Sequence, residues 1–70
     1  MKYLVILEPT ENGFSAYSPD IDGCVAAGDD AEETLALMRD ALEFHLEGLA
    51  EEGLPIPQPH SEAAIVEIGA

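Results

Sequence analysis

The sequence is short of positive charge. Lys2 and Arg39 are its only Lys and Arg residues, against 15 Asp and Glu, for a formal net charge of −13 over 70 residues. A nucleic-acid binder needs a basic face that displaces counterions from phosphates, and two cations cannot build one. Anionic membrane surfaces are excluded on the same ground. Cysteine is equally scarce. Cys24 stands alone, so there is no disulfide within the chain and no CxxC or Cys/His cluster to hold a structural zinc. No apolar run approaches the ~20 residues of a membrane span. Met1-Lys2 passes straight into a short apolar stretch, without the cleavage-site pattern of a secretory signal. These absences lead us to expect a cytoplasmic, single-domain protein over residues 1–70, with no direct nucleic-acid ligand and no membrane.

What is present is a core-forming composition. Hydrophobic residues make up 47% of the chain, too many for a disordered tail. A chain of this size buries only about 60% of its unfolded surface and usually needs a staple. With disulfide and zinc absent, assembly into a homo-oligomer, a dimer or tetramer, is the expected support.

The apolar run from Lys2 to Leu7 reads as a first strand, covered on both faces. Asn12-Gly13 is a hairpin signal, because both residue types tolerate positive φ. Phe14–Ser18 alternates, with Phe14, Ala16 and Ser18 on one face and Ser15 and Tyr17 on the other. Pro19–Gly23 is turn-like, and Cys24–Ala27 reads as a third strand ended by Gly28. Asp30 with Glu33 three residues later forms a capping-box pattern. A helix is therefore predicted from Ala31 to Glu52, closed by Gly53 and Pro55. Its core stripe at 100° per residue is Ala31, Leu35, Met38, Leu42, Leu46 and Leu49. Leu37, Ala41, Phe44 and Gly48 fall nearly opposite. Two readings are open for Leu37 and Phe44: a second contact surface, or incidental surface hydrophobes. Leu54–Pro59 has proline at alternate positions and should be an extended connector, with Leu54 and Ile56 pinned to the core. Ala63–Ile68 reads as a fourth strand. The expected fold is α+β, β-β-β-α-β, one twisted sheet with a single long helix on one face and a right-handed parallel crossover. One helix covers one sheet face, so the other face calls for a partner.

The chemistry-bearing residues do not assemble into a catalytic pattern. Asp20-Ile21-Asp22 resembles the start of an EF-hand loop, but the next alternate position is Cys24 and the twelfth is Ala31. Asp29, Asp30 and Glu33 have the helix N-terminus to explain them. Cys24, with His45 or His60 as base, would be a nucleophile only with a lowered thiol pKa. Its acidic surroundings argue instead for a packed, inert thiol. No phosphate-binding glycine loop or GxSxG is present. We expect no catalytic residue, no metal ligand and no cofactor.

Taken together, several segments resemble the HicB family, and more specifically its antitoxin N-terminal domain. They are Tyr3 in an apolar first strand, Asn12-Gly13-Phe14, Ser18-Pro19-Asp20-Ile21-Asp22-Gly23-Cys24, Gly28-Asp29, Glu33 at the helix start, and Glu52-Gly53-Leu54-Pro55-Ile56-Pro57. The match runs in order from about residue 3 to residue 59. The resemblance implies a partial RNase H-like (HicB-like) fold, with Tyr3, Pro19, Asp20, Gly23, Cys24, Gly28, Glu33, Pro55 and Pro57 as its signature. It implies a protein-binding antitoxin, not an enzyme, whose partner is a small basic HicA-like toxin that cleaves mRNA. Longer members of the family carry a C-terminal DNA-binding domain. This chain stops two residues after Ile68, and none is expected here. Asp22, Asp29, Leu37, Phe44 and Glu47 are the candidate contacts for a partner or a second copy. Two other readings stand beside this one: an oligomeric regulatory or structural protein without a toxin, and an unrecognised hydrolase or metal-dependent nuclease.

The charge is unevenly placed. Residues 29–53 set Arg39 against nine acids and so carry −8 of the −13. The acidity belongs mainly to the helix and its two ends.

Overall fold

The computed structural model describes residues 1–69. Three strands, β1 (Ile6–Pro9), β2 (Phe14–Ser18) and β3 (Ile21–Gly28), precede one helix, α1 (Ala31–Glu51). The sheet is antiparallel in the order β1-β2-β3, and α1 lies across one face, over β3 and β2. The fold class is α+β, as the sequence predicts.

β1 sits further along the chain than the apolar run suggests. Its ladder starts at Ile6, opposite Tyr17, and ends at Pro9, opposite Phe14. The reason is β2, which turns away immediately after Ser18 and leaves Tyr3–Val5 with no strand to pair. Tyr3 and Val5 still pack against the core from outside the ladder. No residue of β1 is fully buried, so the expected cover on both faces is not complete within one chain.

The β1–β2 connection spans Thr10–Gly13 and is closed by the Thr10 N–H donating to the Gly13 carbonyl at 2.8 Å. Gly13 is not among the positive-φ residues, which are Gly23 and Gly53. Glycine is required there for space. A Cβ at Gly13 would lie 2.1 Å from the Gly28 carbonyl oxygen. The β2–β3 turn is tighter than the sequence suggests. Ser18 pairs with Ile21, leaving only Pro19 and Asp20 in the turn, and β3 begins three residues earlier than predicted. The extra residues are absorbed by a bulge between the Tyr17–Val25 and Ser18–Ile21 pairs. Gly23 sits in that bulge at φ 77°, a conformation that glycine adopts without steric cost.

Local signals set both ends of α1. Asp30 accepts from the Glu33 N–H at 2.8 Å, and Glu33 reaches back to the Asp29 N–H at 3.1 Å. This is a capping box closed one residue before the cap itself. At the C-terminus Gly53, at φ 69°, follows the cap residue Glu52. Its N–H donates to the Ala50 carbonyl and the Leu54 N–H to the Leu49 carbonyl, the two bonds of a Schellman motif.

The core is Ala16, Ile21, Cys24, Met38 and Leu42, edged by Tyr3, Val5, Leu7, Ala26, Ala41 and Leu46. The buried line along α1 is Thr34, Met38 and Leu42. Leu35, predicted to face the core, is 44% exposed. The helix is rotated toward Thr34 because Gly28 admits it. A Cβ on Gly28 would stand 2.7 Å from the Thr34 hydroxyl. That hydroxyl donates back to the Asp30 carbonyl at 2.7 Å, so its burial leaves no unpaired donor.

The predicted fourth strand is not formed. Residues 54–69 carry no strand, and Ile65, Val66 and Ile68 are among the most exposed large hydrophobics of the chain. A strand needs a neighbouring ladder, and the arm from residue 62 onward leaves the body instead of returning to a sheet edge. The parallel crossover expected from the sequence is therefore absent. The radius of gyration is 14.0 Å, against about 11 Å for a compact chain of this length. The proline segment is extended, as predicted, and Ile56 and Pro57 are half-buried, but Leu54 is exposed and not pinned.

Candidate protein-binding surfaces

Two places on the molecule combine residues from distant parts of the sequence. The first is the β2–β3 turn. The Asp20 side chain, 1% exposed, accepts from the His60 N–H at 3.1 Å, the Ser61 N–H at 3.1 Å and the Ser61 hydroxyl at 2.6 Å. His60 Nδ1 also stands 2.5 Å from the carboxylate. The sequence suggests turn chemistry for Asp20, whose actual partners lie 40 and 41 residues away. Tyr3 helps from the other side, its hydroxyl donating to the Pro57 carbonyl at 2.5 Å. Tyr3, through the Pro57 carbonyl, and Asp20, through His60 and Ser61, thus share one task, which is tying the segment after the helix to the strands.

The hydroxyl of Ser61 holds the Asp20 carboxyl below its ordinary pKa, against the opposing push of burial. The Ser61 and His60 N–H groups, and then the His60 charge, add to the lowering. A carboxyl whose pKa falls on folding stabilises the folded state above its unfolded pKa, and that contribution is lost as pH drops through the folded value. We therefore expect the tie to hold at neutral pH and to release only in acid below the ordinary carboxyl range. Asp20→Asn is expected to remove the acid-dependent part and to speed proteolysis after Pro57 several-fold at pH 7. Limited proteolysis across a pH series checks both; equal cleavage of the two proteins at pH 7 would contradict the tie.

The second place is a groove of about 490 Å³ between the outer edge of β3 and the C-terminal half of α1. Gly23, Cys24 and Val25 form one wall. Ala41, Phe44, His45, Gly48, Leu49 and Glu52 form the other. Phe44 is 79% exposed at its rim, and Leu37 continues the same helical ridge, also exposed. Of the residues opposite the predicted core stripe, Ala41, Phe44 and Gly48 thus meet β3 at this groove. Cys24 lies at its base, buried, and desolvation raises its thiol pKa, the condition of an inert thiol. Sequence reasoning missed Val25, Leu49 and His45 as groove residues, because nothing local marks which strand edge the helix will border.

The remaining candidate contacts do not form one cluster. Asp22 is exposed beside Gly23 at the groove's strand wall, and Glu47 is exposed on the helix. Asp29 is at the other end of α1 from Phe44, roughly 22 Å along the axis at 1.5 Å per residue. Pro55 is exposed and follows the helix stop. Among the described residues, no three His, Cys, Asp or Glu side chains are gathered as a metal site would require. Among the described residues, no helix is long and apolar enough to cross a membrane.

Comparison with known proteins assigns this architecture. Residues 3–68 match the family model described as HicB_like antitoxin of bacterial toxin-antitoxin system. The chain belongs to the HicB-like antitoxin family. It is similar to Antitoxin HicB 2 of Photorhabdus laumondii, 37% identical across the whole of this chain and 51% of that protein. It is also similar to an uncharacterized 14.9 kDa protein of Haemophilus phage HP1, 33% identical over 83% of this chain and 44% of that one. The chain thus spans about half the length of these two relatives. In three dimensions it matches a chain of the solved HicA3 and HicB3 toxin-antitoxin complex. The TM-score is 0.72 at 37% identity, covering 86% of this HicB-like chain and 70% of that one. Of the residues that carry the resemblance in the sequence, Pro19 lies in a two-residue turn, Gly23 in a bulge, Gly28 against Thr34, Glu33 in the cap and Cys24 in the core.

Proposed function

We propose that this chain acts as an antitoxin by binding and neutralising a small basic, HicA-like mRNA-cleaving toxin, without being an enzyme itself. The observation that carries the reading is the match, at 37% identity over 86% of this chain, to a chain of a toxin-antitoxin complex. The physical basis is the acidic helix. A toxin that cleaves RNA presents cations to phosphates. Asp29, Glu47 and the other carboxylates of residues 29–53, with Asp22 nearby in sequence, compete for those cations. Opposite charge speeds encounter and fixes orientation, and its effect falls with added salt. Leu37 and Phe44, apolar and on the groove side, are suited to contact between copies of the chain. We place the protein in the cytoplasm, where the toxin's mRNA substrate is found.

The test is an RNA-cleavage assay with a small basic HicA-like toxin from the same genome. An equimolar amount of the chain is expected to stop cleavage, with binding that weakens steeply as salt is raised. Undiminished cleavage at molar excess, with no complex at low salt, would overturn the reading.

A further inference from the structure

We infer that the groove between β3 and α1 is a seat for an extended basic segment of the toxin, which adds as a strand along the outer edge of β3. The inference rests on the toxin reading and deepens it by naming the surface and the mode of contact.

The groove follows the strand's edge. Gly23, Cys24 and Val25 are consecutive and all line it. Side chains of a strand point alternately to opposite faces. Three consecutive residues can therefore share one groove only where it runs along their backbone. β3 is an outer strand, and among the described residues no further strand lies beyond it. The strand wall thus offers main-chain N–H and C=O groups, while Ala41, Phe44 and Leu49 make the helix wall largely apolar. Gly48 keeps the space between them open, since no atom lies within 4 Å of a Cβ there. An added strand uses both features. Main-chain bonds supply affinity, and a trough for alternate side chains supplies specificity.

This edge also lacks the usual defences. Exposed strand edges are commonly blunted by short length, proline or lysine. β1 spans four residues and ends at Pro9. β3 spans eight and holds neither proline nor lysine.

Charge selects the occupant. Glu52 lines the groove, and Asp22 stands exposed at its strand wall. The helix's one cation, Arg39, is 3.3 Å from Glu43. At 100° per residue both fall on the side of α1 away from Ala41 and Gly48. A segment with apolar side chains toward the trough and Lys or Arg at its rims satisfies both walls. An acidic strand would be repelled by Asp22 and Glu52. A protein that holds RNA phosphates has basic segments to offer. Phe44 is shared: its inner edge borders the groove, and its outer face continues the Leu37 ridge.

The experiment measures binding of the full chain to a small basic HicA-like toxin from the same genome, by calorimetry without RNA, with amide hydrogen exchange on the complex. Gly48→Arg puts bulk and positive charge into the groove. It should weaken binding by about ten-fold or more, with unchanged helical circular dichroism. Glu52→Lys should weaken binding more than Glu43→Lys, which makes the same change of net charge on the far side of the helix. Main-chain amides of residues 23–27 should exchange more slowly in the complex than in the free chain. No complex with the wild type at low salt would overturn the toxin reading and this inference together. A complex indifferent to Gly48→Arg, or one that leaves exchange at residues 23–27 unchanged, would overturn this inference alone. So would a Gly48→Arg protein that keeps its toxin affinity but changes its own mass by light scattering, because the groove would then hold a second copy.

Discussion

Met38→Ala is expected to remove a large share of the protein's stability. Met38 is wholly buried, in the cluster formed by Ala16, Ile21, Cys24 and Leu42. It is the residue through which the middle of α1 meets β2 and β3. Truncating a buried Met to Ala costs about 2–5 kcal/mol, the transfer term plus the cavity left behind. A domain of this size has a total stability of roughly 4–10 kcal/mol at 0.05–0.15 kcal/mol per residue. The single change therefore removes from a fifth of that stability to all of it. Among the described residues only five hydrophobic side chains are buried, so the site has few neighbours able to collapse into the void. Urea denaturation followed by circular dichroism checks this. An unfolding midpoint within error of the wild type would show that Met38 is not the centre of the core. Leu35→Ala serves as the contrast, because Leu35 is 44% exposed, and it should cost well under half as much.

That contrast marks where sequence reading succeeded and where it stopped. The capping box of Asp30 and Glu33 and the Gly53 stop were legible because each is completed within a few residues of chain. The alternation in Phe14–Ser18 was legible for the same reason, and Ala16 and Ser18 are buried while Tyr17 is exposed. Leu35 misled because periodicity gives a face only to within one helical position. What fixes the rotation is Gly28 admitting Thr34, a contact between elements. Asp20 was recognisable as a motif residue, but its work depends on Ser61, 41 residues later, and nothing local announces Ser61. The groove was half legible. Phe44 and Leu37 marked a second apolar ridge on the helix, yet the wall supplied by Gly23–Val25 required the sheet order. Residues 63–68 have the composition of a strand. Composition names a strand without naming its neighbour, and in the single chain that neighbour is absent.

Gly13→Ala should be nearly as damaging as the core truncation, although it adds only one methyl group at a half-buried position. An ordinary hairpin glycine with positive φ could be replaced by Asn at small cost. Gly13 has no such φ. Its constraint is the start of β2 lying against the end of β3, where an added Cβ would stand 2.1 Å from the Gly28 carbonyl oxygen and 3.0 Å from the Asp29 Cα. Both are backbone atoms, so no side chain can swing aside. Relief requires separating β2 from β3 at the Phe14–Gly28 pair, next to the residues that cap α1. We expect a loss of about 1–3 kcal/mol, as for overpacking in a tight site, and Asn at this position should fare no better. Gly48→Ala is the matched control. No atom lies within 4 Å of a Cβ there, and alanine in a helix interior is favoured over glycine by about 1 kcal/mol. The two substitutions should therefore move the thermal midpoint in opposite directions. If Gly13→Asn were as stable as the wild type, the requirement at Gly13 would be one of turn conformation and the close approach of β2 to β3 would be dispensable.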